Sequence, residues 1–488
     1  MPGSPARRYG CRTFAAGDRT AAVVSQPAAP SDTQPLPPDQ DPSPGRIQVS
    51  GSIATDTRWS AATVAVVGDV RVEDGVTLSI APGVRVEFQG HYRLDVAGTL
   101  HAVGTPQRRI LFTSAEPGLF AIDRSTLGCW NGIHFEGTRA TNAASHLAWC
   151  VLEYSKATGT ENRPYPYAGG ALSVVDFSKL TVESCILRHN LAQYGGALFL
   201  YRNAAPRILG NLIVDNHALT NAAALYCGYS QPMLVNNTIA ANSIHNAAAP
   251  FEETCAILCF LSKPLLVNNI LHDNAAVVPV AHGQLWGGKA YYVRNNAIER
   301  YPAIGGNFPH EPLFVDPQGG DWRLRWGSPC VDAGTDPGPV APSRASDLAG
   351  SPLPVDGDLD RVEQVDIGAL ELVPLALRGR PVVGSRIALE LLGPVGASAR
   401  LYATRGGTLP VPLRTRYGEL DLDPQRLLPL GLTVTSGGPA ALIPLALPPD
   451  PGAVGSSFAF QALVDPVSPL SGPAWTNALE VTLQAGPP

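Results

Sequence analysis

The sequence predicts an all-β fold, in which a parallel β-solenoid is followed by a small β-sandwich. The first observation is an internal repeat, because Gly-Gly-Ala-Leu at residues 169–172 returns at residues 195–198, 26 residues later. The second is the alternation of apolar and polar residues in short runs such as 180–183, which indicates half-buried strands. The third is that no stretch carries a long apolar stripe with a period of 3.6 residues, so we expect helices to be rare.

The repeat defines the coil of the predicted solenoid. Asn216 reappears as Asn242 after 26 residues and as Asn274 after a further 32. A fixed period in this range is typical of one supersecondary unit stacked on copies of itself. Two or three strands in about 26 residues make one coil, and each coil pairs in parallel with the next about 4.8 Å along the axis. We therefore expect about nine or ten coils over residues 47–300.

Two columns of mostly Asn residues fall at equivalent places in successive coils. Asn tolerates the left-handed backbone of a tight corner, and stacked Asn amides hydrogen-bond along a ladder. We interpret the columns as structural ladders, with a ligand-binding row of amides as the alternative. The first column is Cys150, Cys185, Asn211, Asn237, Asn269 and Asn296, and the second is Ser155, Asn190, Asn216, Asn242 and Asn274.

Runs on the N-terminal side of the repeat add to this evidence: residues 76–84, 86–88, 98–100, 110–113 and 130–135. With the repeat, they resemble the opening coils of the right-handed parallel β-helix of the pectin-lyase-like superfamily. The segments 311–317, 321–324, 327–334 and 365–371 resemble the closing region of surface proteins called choice-of-anchor Q. The resemblance covers roughly residues 60–371 and implies the fold. It does not select an activity, because this superfamily includes lyases, hydrolases, adhesins and proteins with no assigned chemistry.

The chain divides into four predicted regions. Residues 1–46 are rich in Pro and Ala and are expected to be disordered. Residues 47–300 form the β-helix, and residues 301–372 complete its C-terminal end, because an open last coil exposes unpaired strand edges. In residues 373–488 the repeat is lost, and short alternating runs separated by Gly/Pro turns predict a β-sandwich.

Composition restricts the partners and the compartment. The net charge of −6 gives no basic surface for nucleic acid, and no run of 18 apolar residues predicts a transmembrane helix. No signal peptide is visible near the N-terminus, although the resemblance implies a secreted or cell-surface protein. We therefore expect that the natural start lies upstream or that export follows another route. We expect a monomer.

The cysteines allow two interpretations. Cys150 and Cys185 share one repeat column, and Cys227 and Cys259 share another, so each pair could lie within disulfide reach in neighbouring coils. The alternative is that they are small core thiols, stacked like the other apolar columns.

Carbohydrate binding is predicted along one edge of the solenoid. Two insertions break the period, and both fall between the second Asn column and the next Gly-Gly strand, so they project from the same edge. Aromatic side chains there would pack on sugar rings, and charged side chains would form hydrogen bonds with sugar hydroxyl groups. The alternative is that these segments are surface loops without a binding role. The candidate binding residues are Lys156, Arg163, Tyr165, Tyr167, Tyr194, Glu252, Glu253, His282 and Trp286.

A column next to the second Asn ladder carries the candidate catalytic residues. A uronan lyase needs a cation to neutralise the substrate carboxylate and a base for the C5 proton, roles that Arg188 and His189 with Asp215 suit. Asp215 and Asp273 stand two coils apart, roughly 9.6 Å by strand spacing, which is close to the range of inverting glycosidases. The sequence motifs of polygalacturonases and pectate lyases are missing, which favours an ordinary solvated face.

A third cluster suggests a metal. Asp356, Asp358 and Asp360, followed by Asp366, have a spacing that converges oxygen atoms on Ca²⁺. Arg361 and Ile367 depart from an EF-hand loop, so the alternative is an acidic turn without an ion. No cofactor is certain, and a calcium ion here would have a structural role.

The sequence therefore predicts a secreted or cell-surface β-helix protein that binds carbohydrate or another cell-envelope polymer. The alternatives are a polysaccharide lyase or glycoside hydrolase and a structural surface protein or adhesin without catalysis.

Overall fold

A computed structural model describes residues 42–159, 165–245, 255–276, 284–287, 292–338, 344–360, 362–378, 381–392, 398–410, 412–415, 418–435, 440–447, 449–465 and 474–485. Within them the chain consists mainly of β-strands, with short 3-10 turns at Pro117–Leu119 and Pro451–Ala453. The predicted all-β class is confirmed.

The opening coils contain long and irregular strands. The strands are β1 (Ser43–Ile53), β2 (Thr57–Trp59), β3 (Ala61–Val72), β4 (Thr77–Ile80), β5 (Arg85–Phe88), β6 (Leu94–Val96), β7 (Thr99–Val103), β8 (Ile110–Ser114), β9 (Ile133–Glu136), β10 (Ser145–Ala148) and β11 (Cys150–Glu153). Strand β3 is long enough to pair with two later strands: its residues 63–66 pair with β5, and its residues 70–72 pair with β6.

The following coils are regular and contain short strands, usually four to a coil. They are β12 (Leu172–Val175), β13 (Leu180–Glu183), β14 (Ile186–Arg188), β15 (Leu191–Tyr194), β16 (Leu198–Tyr201), β17 (Arg207–Leu209), β18 (Leu212–Val214), β19 (His217–Asn221), β20 (Leu225–Gly228), β21 (Met233–Val235), β22 (Thr238–Ala240), β23 (Ser243–Ile244), β24 (Ile257–Phe260), β25 (Leu265–Val267), β26 (Ile270–His272), β27 (Ala275–Ala276), β28 (Leu285–Trp286), β29 (Tyr292–Arg294) and β30 (Ala297–Ile298).

Parallel pairing between successive coils makes four faces. Face 1 contains β6, β9, β12, β16, β20, β24 and β28, and face 3 contains β5, β8, β11, β14, β18, β22, β26 and β30; both belong to one 17-stranded sheet. Face 2 is a nine-stranded sheet of β2, β4, β7, β10, β13, β17, β21, β25 and β29. Face 4 is a four-stranded sheet of β15, β19, β23 and β27. The nine strands of face 2 agree with the expected number of coils, and the parallel β-helix is confirmed.

Both predicted Asn ladders are present. In the first, the amide nitrogen of Asn211 donates to Oδ1 of Asn237 over 3.0 Å, and that of Asn237 donates to Oδ1 of Asn269 over 2.9 Å. In the second, the amide nitrogen of Asn190 donates to Oδ1 of Asn216, and that of Asn216 donates to Oδ1 of Asn242. The ladder residues are buried except for the partly exposed Asn274, and their amides also donate to backbone carbonyl groups, as Asn211 does to Val182 and Asn237 to Ile208.

The left-handed corner residues stand one position before the ladders. Asn236 and Asn268 have φ values of 52° and 55°, and they precede Asn237 and Asn269. His189 and Asp215, at 54° and 52°, precede the second ladder in the same way. Thus the expectation that ladder residues themselves adopt this conformation was wrong, because the ladder amide must point into the coil while its neighbour turns the chain.

The core inside the coils is apolar and continuous. One column of inward side chains on face 1 runs through Leu172, Leu198 and Leu225, each at most 1% exposed. In the opening coils the Trp130 indole stacks on the Phe88 ring, with centroids 4.3 Å apart. Burial of each such side chain contributes roughly 1.5–3 kcal/mol relative to exposure.

The cysteines are core thiols. Cys150, Cys185, Cys227 and Cys259 are buried and carry free thiols. The backbone N–H of Cys150 points to the sulfur of Cys185 at 3.4 Å, so this pair occupies the start of the first ladder. The structure therefore favours the core-thiol interpretation over the disulfide interpretation.

Only the first part of residues 301–372 caps the end of the solenoid. Asn307 Oδ1 accepts a hydrogen bond from the backbone of Asn296 and so extends the first ladder by one step. The chain then forms the antiparallel pair β31 (Phe314–Asp316) and β32 (Asp321–Leu324).

The remainder of this segment packs along the outside of face 3, where it covers apolar residues including Val214 and Ala240. Ala369 N donates to the hydroxyl of Thr238, and Asn236 Nδ2 donates to the carbonyl of Asp366. A prediction of an end cap alone was incomplete, because the outward residues of face 3 are themselves apolar and need a cover.

The C-terminal region is a β-sandwich, as predicted. A three-stranded antiparallel sheet is formed by β33 (Leu375–Arg378), β34 (Arg386–Leu392) and β39 (Ala440–Ala446). A five-stranded sheet contains β35 (Ser398–Arg405), β38 (Leu428–Thr435), β40 (Ser457–Asp465), β41 (Ala474–Trp475) and β42 (Leu479–Thr482), and β36 (Leu413–Thr415) with β37 (Gly418–Leu420) forms a hairpin. Apolar residues of both larger sheets form one core.

Candidate functional site

An aromatic surface covers the outside of face 1 in the later coils. Outward positions of its strands are in register from coil to coil: Phe199 pairs with Tyr226, and Leu258 with Trp286. A second outward column holds Tyr201, Gly228 and Phe260. We call this surface the aromatic band, and it consists of Tyr165, Tyr194, Phe199, Tyr201, Tyr226, Tyr229, Phe260 and Trp286.

The rings of the aromatic band contact one another. Phe199 stacks on Tyr226 with centroids 5.3 Å apart and on Tyr201 at 5.6 Å. Tyr165 lies 5.4 Å from Phe199. Tyr229 meets Phe260 edge to face at 5.4 Å. These separations are those of favourable aromatic pairs, so the rings support one another across several coils.

The residues of the aromatic band differ in how far they are exposed to solvent. Phe199 is only 4% exposed, whereas Tyr229 is 46% and Phe260 41% exposed. A charged pair lies beside the band, because Arg202 follows Tyr201, donates its backbone N–H to Gly228, and forms an ion pair of 2.6 Å with Asp176. An exposed aromatic patch with a polar border is typical of an interaction site.

Three of the predicted binding residues lie at this surface. Tyr165, Tyr194 and Trp286 belong to the aromatic band, and Trp286 packs with Tyr226 against the same small apolar cluster. Tyr167 is 41% exposed, and its ring lies directly against Gly159. The other predicted binding residues Arg163, Glu252, Glu253 and His282 lie outside the described residues.

Lys156 is not at the surface, and its assignment to sugar binding is corrected. Its side chain is fully buried, and Nζ donates to the carbonyl oxygens of Ala121 and Ser125 over 2.8 and 2.7 Å. Nζ also lies 4.9 Å from the centre of the Phe120 ring. The Asp123 carboxylate of the same loop lies 3.4 Å from Nζ, so four groups of one loop hold the ammonium, and Lys156 fixes that loop to the solenoid.

Five members of the aromatic band were not predicted from the sequence: Phe199, Tyr201, Tyr226, Tyr229 and Phe260. Four of them occupy outward positions of strands that pair from coil to coil, and Tyr229 directly follows the end of one of these strands. The signal lies in which residues occupy the outward positions of the alternating runs, whereas the alternation alone predicts only the strands.

The candidate catalytic residues lie at the corner between faces 3 and 4. The rings of His189 and Tyr154 stack with centroids 5.3 Å apart. Burial lowers the pKa of His189, and the Asp215 carboxylate partly opposes this. Burial likewise raises the pKa of Asp215, against the opposing effect of His189. A neutral imidazole beside a carboxyl group is a suitable proton acceptor.

The other two candidates are less suited to the predicted roles. The Arg188 guanidinium forms an ion pair of 2.8 Å with the Glu153 carboxylate. This pair neutralises the positive charge that the predicted role requires for the carboxylate of a uronate substrate. Asp273 occupies the same column as Asp215, with Ala241 between them. Its backbone N–H donates to Oε2 of Glu299 over 2.9 Å.

The acidic cluster in the closing segment differs from the predicted calcium set. Carboxylate oxygens of Asp332, Asp356 and Asp358 lie within 4.8 Å of one another. Burial raises the pKa of Asp332 to about 7, and the carboxylates of Asp358 and Asp356 add to the rise. Oxygen atoms at these separations suit Ca²⁺. Asp332 was missed because it lies more than 20 residues upstream of its partners.

Asp366 and Asp360 have other roles. Asp366 is buried, and its carboxylate accepts hydrogen bonds from the backbone N–H groups of Asp332 and Leu372 over 2.8 and 2.6 Å. It therefore supports the turn and is not part of the three-carboxylate group. Asp360 donates its backbone N–H to Asp356 and Asp358, each over 3.0 Å, and so orders their side chains.

Comparisons with known proteins add no relative: no family model, no curated protein and no solved structure matches the chain. Within the part of the chain that the structure describes, no helix is long and apolar enough to cross a membrane. The strand pairing itself establishes the parallel β-helix, and membership of the pectin-lyase-like or choice-of-anchor Q groups stays a prediction.

Proposed function

We propose that the protein binds a polysaccharide or a similar cell-envelope polymer along the aromatic band, as a secreted or cell-surface protein. The observation that carries this proposal is the run of stacked rings on consecutive coils, with Tyr229 and Phe260 exposed. Tyr rings present an apolar face and a hydroxyl group together, which suits a ligand that has both.

The direction of the band favours an extended ligand. The outward column of Tyr201, Gly228 and Phe260 crosses two coil steps, or roughly 10 Å at about 4.8 Å for each step. A single sugar ring would cover one step of this column. A linear polymer lying parallel to the solenoid axis would contact several rings at once.

The test is retention of the full chain on a panel of acidic and neutral polysaccharides in affinity electrophoresis. We expect at least one glycan to retain the protein, and the double variant Tyr229→Ala/Phe260→Ala to lose most of the retention. The matched control is Leu413→Ala/Leu442→Ala, because these two residues are 44% and 64% exposed on the β-sandwich. Equal retention of both double variants would contradict the proposal, and absence of retention on every glycan would favour the structural or adhesin role.

A polysaccharide lyase or hydrolase is the second candidate, favoured by His189, whose lowered pKa leaves a neutral base beside Asp215. The same glycans are assayed for unsaturated ends, which a lyase makes, and for new reducing ends, which a hydrolase also makes. Product formation that His189→Asn abolishes would establish this candidate. Retention without product would leave binding as the function.

A further inference from the structure

Three polar side chains on face 4 converge on one point outside the aromatic band. Nδ1 of His217 and Nε2 of His245 each lie 2.8 Å from the hydroxyl oxygen of Ser243. The two nitrogen atoms are 3.3 Å apart. The two imidazole rings meet at an interplanar angle of 73°, so their edges and not their faces approach each other.

The coil architecture produces this arrangement. His217 of β19 and Ser243 of β23 are in register on neighbouring coils. His245 follows Ser243 by two residues, which brings its side chain to the same side of the strand. The backbone N–H of His245 donates to the carbonyl of Ala218 over 2.8 Å and continues the pairing at this position.

The tautomer of the two imidazoles decides how these three groups are satisfied. When one facing nitrogen carries a proton, it donates to the Ser243 oxygen and the Ser243 hydroxyl donates to the other nitrogen, so that hydrogen bonds satisfy all three groups. When both facing nitrogens present lone pairs, the single hydroxyl proton serves only one of them. A cation bound by both nitrogens satisfies both lone pairs in that tautomer.

The separation of the two nitrogens fits one metal ion. Zinc binds imidazole nitrogen at about 2.0–2.1 Å with tetrahedral angles, so two such ligands of one ion stand about 3.3–3.4 Å apart. The observed 3.3 Å is this value. An ion at that distance from both nitrogens, placed out of the plane of the three atoms, lies within reach of the Ser243 oxygen, and the His245 side chain is exposed.

We propose that His217, Ser243 and His245 bind a divalent transition-metal ion, with zinc as the reference ion, through Nδ1, Oγ and Nε2. Imidazole selects zinc, copper, nickel and similar ions over calcium and magnesium, which prefer oxygen ligands. Three protein ligands leave the fourth position of a tetrahedral zinc ion to water, as in catalytic sites, whereas structural sites supply four protein ligands.

The protonation state agrees with this role. Burial lowers the pKa of His217 to about 4, and the neighbouring His245 and His189 add to the effect. Burial also lowers the pKa of His245. Metal binding requires neutral imidazole, so near neutral pH the ion does not have to displace a proton from the ligand nitrogens when both lone pairs face the centre.

The test uses the untagged full chain, stripped of metal with a chelator and held in excess Ca²⁺ so that acidic groups are occupied. Equilibrium dialysis against Zn²⁺ measures the number of ions bound, and Co²⁺ replacing Zn²⁺ reports nitrogen ligands by its visible absorption. We expect His217→Ala and His245→Ala each to bind one ion fewer than the wild type. His310→Ala removes another exposed imidazole and should bind as the wild type does.

His245→Ala is the decisive variant, because an exposed side chain is removed and circular dichroism should show an unchanged fold. Ser243→Ala should keep the ion with an affinity reduced several-fold. The proposal is overturned when the wild type binds no Zn²⁺ with saturation, or when His245→Ala binds as many ions as the wild type. Unchanged affinity in Ser243→Ala would overturn the assignment of its hydroxyl as a ligand.

Discussion

The ring of Phe199 stacks on the ring of Tyr226 in the next coil, with centroids 5.3 Å apart and planes inclined by 21°. The two residues are directly paired in parallel strands, so the solenoid itself sets the distance between the rings. Because outward positions repeat from coil to coil, the aromatic side chains at these positions lie next to one another and form a continuous surface.

Gly228 gives the first prediction. A Cβ atom there would lie 2.7 and 2.8 Å from Cδ2 and Cε2 of the Tyr201 ring. We therefore expect Gly228→Ala to displace the Tyr201 ring and weaken glycan retention about fivefold, which corresponds to about 1 kcal/mol of binding free energy. Affinity electrophoresis checks this. Gly118→Ala is the control, because a Cβ atom at Gly118 has no neighbour within 4 Å. Equal retention of the two variants would show that Tyr201 does not contact the ligand.

The Asn ladder gives the second prediction. Asn216 donates to the carbonyl of Leu187 and accepts from the backbone N–H of Asn190, and it is fully buried. A buried polar group that loses its partner costs about 1–3 kcal/mol, so Asn216→Ala should lower the free energy of unfolding by about 3 kcal/mol or more. Urea denaturation followed by circular dichroism measures the change. Gln231→Ala, at an exposed position in the neighbouring coil, should change the stability by less than about 0.5 kcal/mol.

The ladders also show which parts of the fold the sequence could predict. Repeated offsets of 26 or 32 residues between Asn residues indicate stacked coils, which bring each amide into contact with the next one. The left-handed backbone was predicted at the ladder residue, but it lies one residue earlier in the structure. Asn suits the corner and the ladder equally, so the sequence does not tell which of Asn236 and Asn237 directs its amide into the coil.

The candidate sites were less predictable, for a related reason. The positions of Tyr165 and Trp286 followed from where the repeat is interrupted. The burial of Lys156 did not, because it depends on a loop that folds back from an earlier coil. The cluster of Asp332 with Asp358 likewise depends on how the closing segment crosses face 3, and no repeat governs that path.

The cysteine thiols give the third prediction. Cys150 and Cys185 are buried free thiols, and burial raises the pKa of the Cys150 thiol well above its ordinary value. The thiolate is the reactive form, so iodoacetamide should modify Cys150 and Cys185 only after denaturation. Mass spectrometry of native and urea-treated protein checks this. A disulfide-linked peptide containing both residues, released by a reductant, would contradict the structure.

The fourth prediction concerns acid. Burial lowers the pKa of His189 in the folded protein below the ordinary value of about 6.5 that the unfolded chain has. The unfolded state therefore binds more protons in this range, and the stability contributed by neutral His189 is present above about pH 6.5 and is lost as the pH falls. Urea midpoints measured between about pH 7 and pH 5.5, with a chelator present, should fall less steeply for His189→Asn than for the wild type. Asn keeps the left-handed backbone accessible. Parallel curves for the two proteins would show that His189 does not titrate in this way.

The fifth prediction concerns calcium and separates the cluster seen in the structure from the one expected from sequence. Asp332, Asp356 and Asp358 bring their carboxylates within 4.8 Å of one another, whereas Asp360 contributes its backbone N–H to the turn. An ion that binds only the folded state at a concentration of 100 times its Kd stabilises that state by about 2.7 kcal/mol. Saturating Ca²⁺ should therefore raise the thermal midpoint of the wild type, and Asp358→Asn should lose most of the rise, because it removes one of the three negative charges of the cluster. Asp360→Asn is the matched control and should keep most of it. Differential scanning calorimetry with and without Ca²⁺ measures all three proteins. An equal loss in both variants would restore Asp360 to the site, and no rise in the wild type would leave the cluster as an acidic turn without an ion.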